Sequence, residues 1–191
     1  MKNKKLLIIG HGQYSQVVKE IAEETNEYSA IKYIDDVVSS DVVATFDEFF
    51  NNLPKYKKEY DAVIIALGNL DKIYSILYLL NEYNFNLISL ISNKAYVSKS
   101  STIEEGIIIE AGAVINANSI VKKCSIISAN AVINQNCIIN ECCHIDCNAT
   151  VEASSNIPHK TKVKSNTVYS NKKTARELKT PDGDYKFEDG V

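Results

Sequence analysis

The chain has 191 residues, of which 45% are hydrophobic and 24% charged, with a formal net charge of −3. That length suits one large domain or two small ones, and the composition is that of an ordinary globular protein. The acidic balance argues against a nucleic-acid partner, and the nearest basic block, Lys55-Tyr56-Lys57-Lys58, reads as a solvated loop.

At the N-terminus, the apolar run Leu6-Leu7-Ile8-Ile9 is too short for a secretory signal. No apolar run approaches membrane-spanning length, so a cytoplasmic protein without a membrane partner is expected. Lys5 to Ile9 predicts a short buried strand that runs into Gly10-His11-Gly12. A helix follows, with Val17, Val18 and Ile21 on its apolar side. Ala30 to Ile34 predicts a second strand, and a helix is expected from about Phe46. Asp61 to Leu67 predicts a third strand, ending at Gly68. Leu70, Ile73, Leu77 and Leu80 mark one face of a further helix, and Asn86 to Ile91 predicts a last strand. Strands alternating with helices imply a small parallel, Rossmann-like α/β sheet over residues 1–92.

Gly10-His11-Gly12 places backbone N–H groups at a helix start, where a phosphate could bind; a plain tight turn reads equally well. A full dinucleotide fingerprint needs a third glycine, and position 15 is Ser15. Asp35 and Asp36 end the second strand, where such a fold places an acidic ribose or base contact. Two loop carboxylates facing water are the plainer alternative.

From residue 93 the period changes. Val97, Ile103, Ile109, Ile115, Val121, Ile127, Ile133, Ile139, Ile145, Val151, Ile157 and Val163 recur at every sixth position. Four residues after each of them comes a small side chain, such as Ala113, Ser119, Ser125, Ala131, Cys137 or Cys143, with only Ile107 bulky. Three residues after each, the chain favours Gly or Asn, types that tolerate a left-handed backbone. Together these patterns predict a parallel β-helix of hexapeptide repeats over 93–169, three hexads to a turn. Residues 170–191 read as a C-terminal tail, with a turn at Pro181-Asp182-Gly183-Asp184.

All five cysteines lie between 124 and 147 and are expected to be reduced thiols. Cys137 and Cys143 fill the small inward slot, while Cys124 and Cys142 stack at equivalent corners. No C-x-x-C or H-x-x-x-H spacing occurs, so no metal ligand is assigned. The residue before each inward aliphatic points outward. Ile108, Val114, Ile120, Ile126, Val132 and Ile138 therefore predict an apolar outer surface and contact between copies. His144 occupies the same outward place, and His159 follows Pro158 at a corner.

The glycine loop, the Ile-Asp-Asp after the second strand, Ala66-Leu67-Gly68-Asn69 and the hexapeptide repeat together resemble one family. It is that of the sialic acid O-acetyltransferases and bacterial nucleotide-amino-sugar N-acetyltransferases, and the resemblance covers about residues 4 to 168. It implies a left-handed β-helix, a homotrimer, acetyl-CoA as donor along the β-helix between subunits, and a nucleotide-linked sugar as acceptor. The implied acceptor-binding residues are Gly10, Gly12, Gln13, Tyr14, Asp35, Asp36 and Gly68. Tyr14 stands where the family's first turn commonly has histidine.

The family's Glu-His-Asp/Glu-Cys segment falls on Asn134-Gln135-Asn136-Cys137, so its general-base histidine is Gln135 and its orienting acid is Asn134. A second family histidine, near the thioester, matches His144, and a family glycine there is matched by Ala153. Gln135, Asn134 and His144 are thus the catalytic candidates, and His144 and Ala153 the donor contacts. Glutamine cannot take a proton from an acceptor amine or hydroxyl, so it supplies positioning without general-base catalysis. Three expectations follow: a weakly active acetyltransferase, a non-catalytic trimeric relative that binds nucleotide-sugar or serves regulation or assembly, or altered acyl chemistry with His144 as base.

Overall fold

A computed structural model describes residues 4–37 and 39–171; the turn expected at residues 181–184 lies outside them. The first unit is a four-stranded parallel sheet in the order β3-β2-β1-β4. Its strands are β1 (Lys4–Ile9), β2 (Tyr28–Ile34), β3 (Val42–Ala44) and β4 (Ala62–Ile65). Leu6, Leu7, Ile8 and Ile9 are all fully buried, as a strand covered on both faces requires.

The helices are α1 (Gln13–Glu24), α2 (Phe46–Asn51), α3 (Leu53–Glu59) and α4 (Leu70–Glu82). The single helix expected from Phe46 is two, broken at Asn52, because Pro54 in the first turn of α3 starts a new helix. Thr45 and Glu48 form a reciprocal cap at the start of α2. Strand β3, only three residues long, was not expected from the sequence. The segment Asn86–Ile91 also differs from expectation. Only Leu87 bridges to the sheet, through Val63, whereas β5 (Leu90–Ile91) pairs with the β-helix.

Residues 90–169 wind into a left-handed parallel β-helix of two-residue strands. The first wall stacks β5, β8 (Ile108–Ile109), β11 (Ile126–Ile127), β14 (His144–Ile145) and β17 (Lys162–Val163). The second stacks β6 (Tyr96–Val97), β9 (Val114–Ile115), β12 (Val132–Ile133), β15 (Thr150–Val151) and β18 (Val168–Tyr169). The third stacks β7 (Thr102–Ile103), β10 (Ile120–Val121), β13 (Ile138–Ile139) and β16 (Asn156–Ile157). Each strand pairs with the one eighteen residues on, as Ile120 does with Ile138, so three hexads make one coil.

The inward aliphatics from Ile109 to Ile157 are fully buried in one column. Each such side chain contributes about 1.5–3 kcal/mol relative to exposure. The corner residues Gly106, Gly112, Asn118, Cys124, Asn130, Asn136, Cys142, Asn148, Ser154, Lys160 and Asn166 all have φ between 55° and 75°. The sequence register therefore predicts these corners, while Ser100, the first corner position of the register, is not left-handed.

The small slot has a polar task as well as a steric one. Ser125 Oγ accepts the Cys143 N–H at 3.1 Å and donates to the Asn140 carbonyl at 3.0 Å. Ser119 does the same for Cys137 and Asn134. In the next coil the thiols of Cys137 and Cys143 donate to Glu152 O and Pro158 O at 3.1 and 3.0 Å. A small hydroxyl or thiol thus satisfies corner backbone groups that the ladders leave open.

The outer surface corrects one expectation. Ile108 and Ile126 are buried, because the first wall packs against the α/β unit and shares its core with Leu87 and Leu90. These two residues are covered by their own chain. Val114, Ile120, Val132 and Ile138, on the other two walls, are half-buried.

Burial pushes the Cys124 thiol far up, the Cys142 thiol up to about 12 and the Cys143 thiol up to about 11. Cys147 is the one cysteine that is partly accessible. A thiol-disulfide reagent is expected to modify one thiol per native chain and all five in denaturant. A second fast thiol in the native protein would contradict this packing.

Candidate functional site

The acceptor candidates gather where β1, β2 and β4 end. Gly10 has φ +111°, and a Cβ there would lie 2.6 Å from the Ala66 carbonyl oxygen, so only glycine lets this loop cross β4. The His11 N–H donates to Asp35 Oδ2 at 2.6 Å, and the Val37 N–H to Asp35 Oδ1 at 3.1 Å. Asp36 Oδ1 accepts the Phe46 N–H at 3.1 Å. Both carboxylates hold loops as well as face outward, beside a small groove that also includes Thr45 and Glu48. Gly12 and Gln13 are exposed at the start of α1, which has no capping side chain. Gly68 is exposed in the loop before α4. Exposed backbone N–H groups at a helix start, between flanking carboxylates, can receive a phosphate on one side and a hydroxyl-bearing ring on the other.

Tyr14 turns away from this loop. Its phenol lies in the junction with the β-helix, facing Glu110, and burial with the nearby Glu110 carboxylate pushes it well above the usual tyrosine range. Glu110 is only 8% exposed, and its Oε2 accepts the Ala129 N–H at 3.1 Å. No motif in the sequence marks Glu110. Its role comes from the corner on which the coil happens to place it.

His144 stands on the first wall above Ile126. Its Nε2 lies 3.0 Å from Ser128 Oγ and 3.8 Å from Asp146 Oδ1, while Nδ1 is buried with no hydrogen-bond partner among the described residues. Burial, reinforced by Lys162, lowers its pKa below the usual histidine value, with Asp146 opposing. Burial works against ionisation of Asp146. The Cys147 N–H, Lys162, Ser165 and His144 outweigh it and hold the carboxyl down to about 2.

A neutral histidine favoured by the fold contributes stability above the unfolded value of about 6.5 and loses it as pH falls through that point. The Asp146 contribution persists above about 3.9 and is lost only as pH falls toward 2. Melting temperature at low ionic strength is therefore expected to drop on acidification below about pH 6.5. His144→Gln should flatten that limb; an unchanged slope in the variant would assign it to other groups.

Gln135 and Ala153 occupy one corner column, between the second and third walls, where Ser154 N–H donates to the Gln135 carbonyl at 2.9 Å. The Gln135 side chain is exposed, flanked by the half-buried Val132 and Ile138. Asn134 instead donates its side-chain amide to the Val151 carbonyl at 3.0 Å, which ties it to the next coil. In a three-walled prism this corner lies opposite the first wall. The fold therefore brings Gln135, Asn134 and Ala153 together, and places His144 and the acceptor loop on the far side of the same chain.

Residues 5–72 match the family described as the PglD N-terminal domain. The acetyltransferase domain of PglB from Neisseria gonorrhoeae is 26% identical, with a TM-score of 0.73 over 87% of this chain and 88% of that one. The same domain in complex with acetyl coenzyme A gives a TM-score of 0.68 at 26% identity, over 87% of each chain. A variant of perosamine N-acetyltransferase from Caulobacter crescentus, in complex with CoA and GDP-perosamine, shares the fold. It is 24% identical, with a TM-score of 0.73 over 87% of this chain and 88% of that one. No curated protein matches by sequence. No helix among the described residues is long and apolar enough to cross a membrane.

Proposed function

We propose, for a chain that belongs to the hexapeptide-repeat nucleotide-sugar acetyltransferases, that it binds acetyl-CoA and a nucleotide-linked sugar. On this reading it transfers acetyl slowly to an amino or hydroxyl group. The observation that carries this reading is the two-domain architecture, held in common over 87% of the chain with a domain that has been seen with acetyl coenzyme A. The glycine loop with Asp35 and Asp36 takes the nucleotide end of the acceptor. The corner of Gln135 and Ala153, flanked by Val132 and Ile138, takes the acetyl end of the donor.

Because that corner faces away from the chain's own acceptor loop, a working centre joins the Gln135 corner of one copy to the loop of another. A homotrimer built on the second and third walls supplies that arrangement, and the half-buried Val114, Val132, Ile120 and Ile138 suit it. Slow turnover follows from chemistry. Gln135 can hydrogen-bond the acceptor but cannot remove its proton, which forfeits a factor of about 10² to 10⁴.

The test is free-thiol release from acetyl-CoA in the presence of UDP- and GDP-linked amino sugars. Release above the buffer rate that depends on one of these sugars is expected. If neither donor nor acceptor binds, the reading fails. Binding of the sugars without any turnover would favour a non-catalytic relative, for which the uncharged Asn134-Gln135-Asn136 segment is the specific observation.

A further inference from the structure

The junction between α1 and the first wall holds a buried negative charge without a counter-charge. Glu110 is only 8% exposed. No lysine, arginine or histidine forms an ion pair with it among the described residues. Its Oε2 accepts the Ala129 N–H at 3.1 Å, which fixes the side chain to the next coil but leaves its charge uncompensated. A carboxylate held out of water is costly unless a cation or several donors meet it.

Tyr14 faces Glu110 from the first turn of α1. Its phenol oxygen is buried and makes no well-formed hydrogen bond with any described residue, although Glu110 and the Cys147 thiol lie close to it. Glu110, Ser128 and Asp146 follow β8, β11 and β14 at intervals of eighteen, so they stack in one column at about 4.8 Å per coil. His144 reaches down that column to Ser128 Oγ, 3.0 Å from Nε2. Asp146 Oδ1, 3.8 Å from the same Nε2, favours a proton there and leaves the buried Nδ1 as an acceptor. One stretch of wall thus presents a carboxylate, a phenol oxygen and an imidazole nitrogen with open valences. It adjoins the acceptor loop, since Tyr14 follows Gly12 by two residues.

We infer that Glu110 is a specificity-determining residue, which with Tyr14 receives the protonated amino group of the acceptor sugar. This rests on the reading that the glycine loop takes the nucleotide end. An ammonium brings the missing positive charge and three N–H donors to a wall of acceptors. A hydroxyl brings one donor and no charge, and an anionic group is repelled by Glu110. A divalent metal finds one unpaired carboxylate here, because Asp146 is already held by Lys162 at 3.0 Å. An amine kept as its cation is a poor nucleophile, in keeping with slow transfer.

The test is calorimetric titration of the full chain, first with UDP and GDP alone. Sugars linked to whichever nucleotide binds follow, with an amine at C2 or at C4, each against its hydroxyl counterpart. The nucleotide alone reports on the glycine loop, and the amine-to-hydroxyl ratio reports on Glu110. At least one amino sugar is expected to bind about tenfold more tightly than its counterpart. Glu110→Gln keeps the shape and an acceptor for the Ala129 N–H, so it should abolish that preference and leave the hydroxyl sugars unchanged. Tyr14→Phe should reduce the preference about threefold. Circular dichroism verifies the fold of each variant, and should Glu110→Gln fail to fold, Tyr14→Phe and the unaltered chain carry the test. If a nucleotide binds but no amine is preferred, or the preference survives Glu110→Gln, the inference is overturned while the acceptor reading stands. If neither nucleotide binds, both fall. Loss of the preference in EDTA would also overturn the inference, since the junction would then hold a metal ion.

Discussion

Gln135→His is expected to raise sugar-dependent acetyl transfer by about 10²-fold, at the lower end of what a positioned general base supplies. The substitution is structurally mild. The Gln135 side chain is exposed, and its corner is held by backbone bonds, the Ser154 N–H to Gln135 O among them at 2.9 Å. The gain should stay near the lower end because the adjacent residue, Asn134, brings an amide and not a carboxylate to orient the new imidazole. Asn134 is the adjacent candidate for that part, but its amide is engaged with the Val151 carbonyl at 3.0 Å. Asn134→Glu would give up that bond, costing about 1 kcal/mol, so the double variant should be faster yet somewhat less stable. Steady-state rates at saturating acetyl-CoA, with pH profiles, check this. A histidine contribution must appear as a new limb near pH 6 to 7. Unchanged turnover in a variant that still binds both ligands would mean that the Gln135 corner is not where the proton is removed.

The second large effect is on stability. Ile139→Ala is expected to cost about 2–5 kcal/mol, because Ile139 is fully buried in the prism column and the ladder above and below prevents collapse onto the cavity. Its neighbour Ile138 points outward and is half-buried, so Ile138→Ala should cost well under half as much in a dissociated chain. If copies meet on the third wall, Ile138→Ala should weaken association and make the melting temperature more concentration-dependent. Chemical denaturation of both variants at two protein concentrations separates these effects. Equal costs for the two positions would contradict the inward-outward alternation.

The contrast between these adjacent isoleucines marks what was legible in the sequence. A six-residue register sets the inward column, the small slot and the left-handed corners, because a narrow prism admits one choice at each. It even places Cys124, Cys142 and Lys160 in left-handed backbone, where composition alone would not put them. Outward residues carry no such constraint. Ile108 and Val114 look alike in sequence, yet the first is covered by the α/β unit and the second is not. The short β3, and Leu90–Ile91 leaving the sheet for the first coil, were hidden for a related reason. Two or three apolar residues fit either setting until the neighbouring chain is known.

In the candidate site the sequence marks the glycine loop and the Asp35-Asp36 pair, since tight turns need particular residue types. It does not mark Glu110, Ser128 or Asp146. Their importance comes from which corner meets Tyr14 and His144 in space.

The most direct measurement is calorimetric titration of the chain with acetyl-CoA, alone and after saturation with a nucleotide-linked amino sugar. Saturable binding of one acetyl-CoA per chain, retained when the sugar is present, is the expected result. No heat from acetyl-CoA under either condition would leave the prism a scaffold without a donor site and contradict the assignment of acetyl transfer.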